Sequence, residues 1–286
     1  MNQFDLLKHI IINCDEALKE AFEKRMSVSA SLAQTKIDLE KDIFDSQSEQ
    51  NYIHTVVAQF APELSIKANS LWASLTRMSR SQQYRYLLKN YPEIRLAHEP
   101  FLCDNIPEGI TVTPEPIAID VSMSLGDEVM TCHSIQSAID QVISGKAVKA
   151  VLSCDSIYDT ESVFLSFYDK GLFVNAITRS KEGRLLFELS KNLVICADDN
   201  TMSLAFAVDN KYGSMVQALS ILSEAKLSIE HMRHRRSTSG CDHPDNLIFV
   251  DLSGDFDTLE TKTALYQLEK EMYFYRLIGF WKRTEF

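Results

Sequence analysis

From the start of the chain one stripe recurs at steps of three or four, apolar at all but two positions: Leu7, Ile11, Cys14, Leu18, Ala21, Arg25, Val28, Leu32, Lys36 and Leu39. Such a stripe is the seam of a long helix packed on other helices. No glycine or proline interrupts it, so the spacing predicts one helix from about Phe4 to about Glu40, roughly 55 Å long at ~1.5 Å per residue. Asp45 or Ser46 then caps a second helix through Phe60. Pro62 opens a third, at the first-turn position that tolerates proline, and Tyr91-Pro92 closes it after Lys89. Two cations, Arg25 and Lys36, stand inside the first seam. A buried cation without a partner is costly, so each needs either an acid on a neighbouring helix or a wet cavity that holds an anion.

The pattern changes after Tyr91-Pro92. Pro100, Pro107, Pro114 and Pro116 mark residues 93–115 as a linker. Residues 116–200 then read as a small α/β domain: a strand over 116–121, an amphipathic helix Ser134–Ile143, and a strand Ala147–Leu152. A helix Ser162–Tyr168 and strands Leu172–Ile177 and Leu193–Cys196 complete it. Residues 201–286 alternate as strand 203–208, helix 214–225, strands 227–235 and 246–252, helix 259–272 and strand 274–281. That βαββαβ order is ferredoxin-like. The expected fold class is multi-domain, α and α+β. A three-helix all-α domain (1–92) comes first, a small α/β domain second, and a ferredoxin-like domain last.

Composition narrows the function. A chain of 286 residues suits two or three domains. A formal charge of −11 argues against nucleic acid as partner, because phosphate binding needs concentrated Lys and Arg. The basic cluster Arg233-His234-Arg235-Arg236 is short. The opening apolar run is broken by His9, Asn13 and Asp15 and reads as neither signal peptide nor membrane span, so the expectation is a soluble cytoplasmic protein. The cysteines at 14, 103, 132, 154, 196 and 241 show no CxxC and no regular spacing. Neither a metal site nor a disulfide framework is expected; the thiols read mostly as small buried hydrophobes in a reducing compartment.

The helices carry the candidate chemistry. Asp45 and Glu49 stand four apart, as do Ser79 and Gln83, so each pair shares a helix face. With Arg25 and Lys36 this offers a cation row, a carboxylate pair and a hydroxyl/amide pair. None is a nucleophile–base arrangement, and what the set can do is bind and orient a polar anion.

On these residues the stretch from Leu7 to Leu87 resembles the all-helical chorismate mutases, of the kind fused to the front of prephenate dehydratase. The resemblance matches Arg25 and Lys36 to the family's two long-helix cations. Asp45 and Glu49 match the pair around the substrate hydroxyl, and Ser79 and Gln83 the polar pair on the last helix. Lys8 stands where the family has an arginine that reaches into the partner subunit's site. Ser48 departs from the pattern by replacing a further arginine. The resemblance implies conversion of chorismate to prephenate without a cofactor. Lys36 and Gln83 would face the ether oxygen, Arg25 and Lys8 the carboxylates, and Glu49 with Asp45 the ring hydroxyl. Lys8 and Arg25 lie about 25 Å apart along one helix, too far for one small dianion, so a shared ligand asks for a homodimer. Two other readings stay open: a non-catalytic sensor retaining these folds, and a mutase for an amino-substituted chorismate.

The tail resembles the rest of that bifunctional family. His133–Ser156 is similar to the first lobe of prephenate dehydratase, but the family's Thr-Arg-Phe motif survives only as the hydroxyl of Ser190 in Ser190-Lys191-Asn192. The segment is about half the length of a two-lobed dehydratase domain, so a catalytically silent remnant is expected. The last block resembles the ACT regulatory domain. Its ligand motifs correspond to Tyr212-Gly213-Ser214-Met215 and Arg233-His234-Arg235-Arg236, leaving Gly213, Ser214, Met215 and Arg235 as the implied ligand site. Arg233 replaces an acid that would meet a ligand's ammonium, so phenylalanine feedback is not expected.

Overall fold

A computed structural model describes residues 2–114, 128–154, 170–179, 185–196, 198–209, 213–235 and 246–282. The chain mixes helix and sheet in two compact units. One comprises Met1–Arg95, Gly213–Ala225 and Asp257–Glu271; the other comprises Leu96–Tyr212, Lys226–Phe256 and Met272–Phe286. The units do not follow the linear boundaries read from sequence, because the two helices of the last block count with the first unit and its strands with the second.

In the helical unit, α1 (Gln3–Asp38) starts with a reciprocal cap. Asn2 Oδ1 accepts from the Asp5 amide at 2.8 Å and the Asp5 carboxylate accepts from the Asn2 amide at 3.3 Å. α2 (Ser46–Val57) is capped by Asp45, whose carboxylate accepts the Ser48 amide at 2.9 Å. Pro62 opens a single 3₁₀ turn, and α3 (Ser65–Asn90) follows. On α1 only the small Ser29 and Ala33 are buried. The apolar seam is corrected accordingly: Ile11, Leu18 and Val28 are 59%, 61% and 57% exposed, and residues 2–24 are exposed throughout. The reason is length, since α3 is ten residues shorter (36 against 26) and cannot cover all of α1. The face that α3 buries is largely polar: Thr76, Arg77, Ser79, Arg80 and Gln83 alongside Tyr84 and Leu87.

In the sheet unit, nine strands among the described residues lie in the order β3-β2-β4-β6-β5-β11-β8-β10-β9. They are β2 (Ile110–Thr113), β3 (Glu128–Thr131), β4 (Lys149–Cys154), β5 (Phe173–Arg179), β6 (Leu185–Ser190), β8 (Thr201–Ala207), β9 (Ser228–Arg235), β10 (Leu247–Ser253) and β11 (Phe274–Trp281). A separate parallel pair joins β1 (Leu102–Cys103) to β7 (Leu193–Val194). The expected linker therefore supplies two strands. Its prolines bracket the β-branched run Ile110-Thr111-Val112-Thr113 without entering it, which leaves the ladder donors in place. Helix α4 (Ile135–Ser144) is capped by Ser134, ends on left-handed Gly145, and buries Ala138, Ile139 and Val142. The expected strand over 116–121 and helix over 162–168 lie outside the described residues.

The four last strands run antiparallel in the order β11-β8-β10-β9, and in the chain they alternate with helices α5 (Ser214–Glu224) and α6 (Leu259–Glu271) as β-α-β-β-α-β. Among the described residues they join the earlier strands through one parallel pairing, Gly279 of β11 opposite Val174 of β5. The backbones approach so closely there that a Cβ on Gly279 would collide with the Val174 carbonyl oxygen. Irregular register flanks this point on both strands, between Leu277 and Gly279 and between Val174 and Ala176, as expected where strands bend to meet.

The cysteine expectation is also corrected. Cys14 and Cys196 are exposed and Cys103 and Cys132 half-buried, all as free thiols; Cys14 rides the uncovered half of α1. No described helix is long and apolar enough to cross a membrane.

Candidate functional site

Two of the residue sets meet where α1 faces α3. Arg25 Nε donates to Ser79 Oγ at 3.1 Å, across a sequence gap of 54 residues. No carboxylate among the described residues pairs with Arg25. It lines a cavity of about 410 Å³ together with Ala21, Lys24, Val28, Ser29, Leu32 and Ser79, a wall with two cations and no acid. Ser29 is turned inward, its hydroxyl donating to the Arg25 carbonyl at 2.8 Å.

The second set lies where α1, α2 and α3 converge. Lys36 Nζ donates to the Ile43 carbonyl at 2.5 Å and so pins the loop between α1 and α2. Burial pushes the Lys36 ammonium below the usual lysine range. Arg80 adds to that shift, while Glu49, Asp45 and Asp42 oppose it. Glu49 is pushed the other way: burial raises its carboxyl above the usual range and Glu271 adds to this, against Arg80 and Lys36. Gln83, one turn beyond Ser79, is 3% exposed. Its Nε2 donates to the Ser79 carbonyl at 3.1 Å, and its Oε1 has no hydrogen-bond partner among the described residues.

Sequence reasoning passed over the centre of this set, Arg80. Its guanidinium, 5% exposed as a side chain, bonds Glu49 Oε2 through Nη1. It also bonds both carboxylate oxygens of Glu271 through Nε (2.6 Å) and Nη2 (2.8 Å). The ring of Phe44 lies under it at 4.7 Å. Burial works against the Arg80 charge, but the hydrogen bonds and charge of Glu271, then the charge of Glu49, outweigh burial and hold it more firmly protonated than an ordinary arginine. Gln267 completes the cluster, donating to Glu271 Oε1 at 2.9 Å. Removing one partner from so buried a pair leaves an uncompensated charge, at a cost of about 3–5 kcal/mol. Tyr84 lies beside them, its hydroxyl without a partner among the described residues, and burial pushes its phenol far up. One turn before Arg80, Arg77 forms an ion pair with Glu224 at 2.6 Å without hydrogen-bond alignment.

A signal for Arg80 existed: Arg77, Arg80 and Tyr84 follow the same three-and-four spacing that singled out Arg25 and Lys36. Nothing in the sequence pointed to Glu271, 191 residues from Arg80.

The remaining expected residues lie apart. Lys8 is exposed, over the Phe4 ring at 4.7 Å. Asp45 spends its carboxylate on the α2 cap, and Ser48 is exposed, its amide held by that cap. In the sheet unit Ser190 is 1% exposed and its hydroxyl belongs to a turn: it donates to the Asn192 carbonyl at 2.6 Å and accepts from Asn175 Nδ2 at 3.0 Å. Gly213, left-handed at φ 84°, precedes α5 as its N-cap, with Ser214 and Met215 half-buried in the first turn. Arg235 ends β9 opposite Leu247. Cys196, Asp198 and Asp199 bring potential ligand atoms within 4.8 Å of one another; both acids have protein partners, Lys282 and the Cys196 amide.

No protein-family model and no curated protein matches the chain. Similar solved structures include GqqA, described as a novel type of quorum quenching acylases (18% identity over 61% of this chain and 95% of that one, TM-score 0.48). A prephenate dehydratase from Streptococcus mutans is similar at 13% identity over 60% and 96% of the two chains, TM-score 0.49. Another, from Arthrobacter aurescens in complex with L-Phe, is similar at 9% identity over 61% and 90%, TM-score 0.49. At these identities and TM-scores the likeness assigns no role to any residue.

Proposed function

We propose that the helical unit is a chorismate mutase, converting chorismate to prephenate without a cofactor. The observation that carries this reading is Arg25, held by Ser79, free of any described carboxylate, on a cavity wall of cations without acids. A site of that composition suits a small dianion. The reaction is unimolecular: the ether C–O bond breaks as a C–C bond forms, and no proton leaves or arrives. The protein then acts by holding the compact conformer and by placing donors where negative charge grows on the ether oxygen. In this reading Arg25 holds a carboxylate, Lys36 and Gln83 face the ether oxygen, and Glu49 accepts from the ring hydroxyl through Oε1, the oxygen Arg80 leaves open.

The test is loss of chorismate ultraviolet absorbance with the purified chain. Turnover above the uncatalysed rate is expected; none at saturating substrate overturns the reading. One observation favours the sensor reading instead: Gln83 is almost fully buried, with its amide nitrogen bonded to backbone. Under that reading chorismate binds and raises thermal stability but does not react. An amino-substituted chorismate run beside chorismate separates the third reading, by which of the two is consumed. Prephenate incubated with the protein is expected to yield no phenylpyruvate, since Ser190 is committed to its turn.

The same reading asks for a homodimer, in which the exposed half of α1 covers its apolar side chains against a second copy and brings Lys8 to the other chain's site. Contiguous exposed apolar surface of this kind marks an interface. Sedimentation equilibrium is expected to give a dimer, and the double variant Ile11→Glu, Leu18→Glu a monomer. A monomeric wild-type chain sinks the shared-site idea.

A further inference from the structure

We propose that Arg80 and Glu271 are positioning residues for the candidate site: Glu271, at the end of α6, fixes the Arg80 guanidinium by two hydrogen bonds so that its third nitrogen group clamps Glu49. The proposal rests on the mutase reading for its catalytic consequence but on geometry for the clamp. Three observations carry it. Arg80 is buried and its donors are divided between two acids from different helices, α2 and α6. The clamp takes only Glu49 Oε2, so Oε1 stays available to a ligand hydroxyl. Ser48, where the resembling family carries an arginine, is exposed and makes no such contact. The cation bonded to Glu49 comes instead from α3, one residue after Ser79.

The charges facing Glu49 from each packed element are Lys36 from α1, Arg80 from α3 and Glu271 from α6; the Tyr84 hydroxyl, also from α3, borders the same cluster. Their signs make the clamp measurable. Arg80 favours the ionised Glu49, so its loss should raise the Glu49 midpoint. Glu271 opposes ionisation by its charge but fixes the guanidinium by its two oxygens; Glu271→Asp keeps the charge and withdraws the fixing, so it should raise the midpoint as well.

The experiment is a carboxyl-carbon NMR titration of Glu49 in the full-length chain, wild type against Glu271→Asp and Arg80→Gln, with the pH profile of chorismate turnover beside it. The expected result is upward movement of the midpoint in both variants, with the acid limb of turnover following. A purely structural role would weaken folding in both variants and leave the midpoint unmoved. Should Arg80→Gln fail to fold, Glu271→Asp alone decides: a raised midpoint supports the clamp, and an unchanged or lowered one overturns it. The two readings fail separately. A wild-type chain that leaves chorismate untouched removes the mutase, while the NMR titration still judges the clamp.

Discussion

Replacing Lys36 by alanine is expected to lower chorismate turnover by about 10²–10³-fold, the usual cost of losing one donor at a developing oxyanion. In the proposed mutase Lys36 suits that role because no described acid neutralises it. It makes no described ion pair, and Glu49, the nearest acid in effect, is itself held by Arg80. Burial also makes its charge expensive, which strengthens whatever bond it gives to substrate. Its second contact complicates the variant, since Lys36→Ala also releases the Ile43 carbonyl and loosens the loop before α2. Lys36→Gln resolves this: a neutral amide can still donate to Ile43 but brings no charge, and turnover should fall with the fold intact by circular dichroism. Activity in Lys36→Ala within twofold of wild type removes Lys36 from the reaction. Under the mutase reading, turnover by the wild type needs Lys36 protonated and Glu49 ionised. Its alkaline limb should therefore fall below the ordinary lysine range and its acid limb above the ordinary carboxylate range.

Gly279→Ala should be the most damaging conservative change in the sheet, at about 3 kcal/mol or more. The added methyl would meet the Val174 carbonyl, carbon and amide, and a backbone cannot swing aside as a side-chain tip can. Relief means parting β11 from β5, where this pair is the one parallel register joining the two sets of strands. Buried Trp281, two residues on, provides the readout. In a Trp72→Phe background its fluorescence should lose its urea transition at a much lower midpoint than wild type. An unchanged midpoint would show that the strands can part there at little cost.

The three helices were legible because their periodicity is local; that Arg25 bonds Ser79 was not, since spacing marks a face without saying which faces meet. Which part of the seam α1 buries was not legible. Periodicity identifies an apolar face but not the length of the neighbour that covers it, so Leu18 and Ala33 look alike in sequence and differ in burial. Prolines were over-read at 93–115, where they flank β2 rather than break it. Glu271 was out of reach because a carboxylate at the end of a tail helix looks solvated until Arg80 is found beside it. The sheet's continuity through Gly279 was hidden for the same reason, a single glycine carrying no pattern of its own.

The chain passes between its two compact units five times, at 95/96, 212/213, 225/226, 256/257 and 271/272. A gene cut after Arg95 would thus encode an incomplete helical body, lacking α5 and α6 and with them Glu271 and Glu224. Transplanting the site into another protein would require all three of its segments, and swapping the tail for a foreign one would rewrite the surroundings of Glu49. Melting should reflect the same threading. Neither unit can release its segments without tugging on the other's, so Trp72 and Trp281 should report one coincident transition.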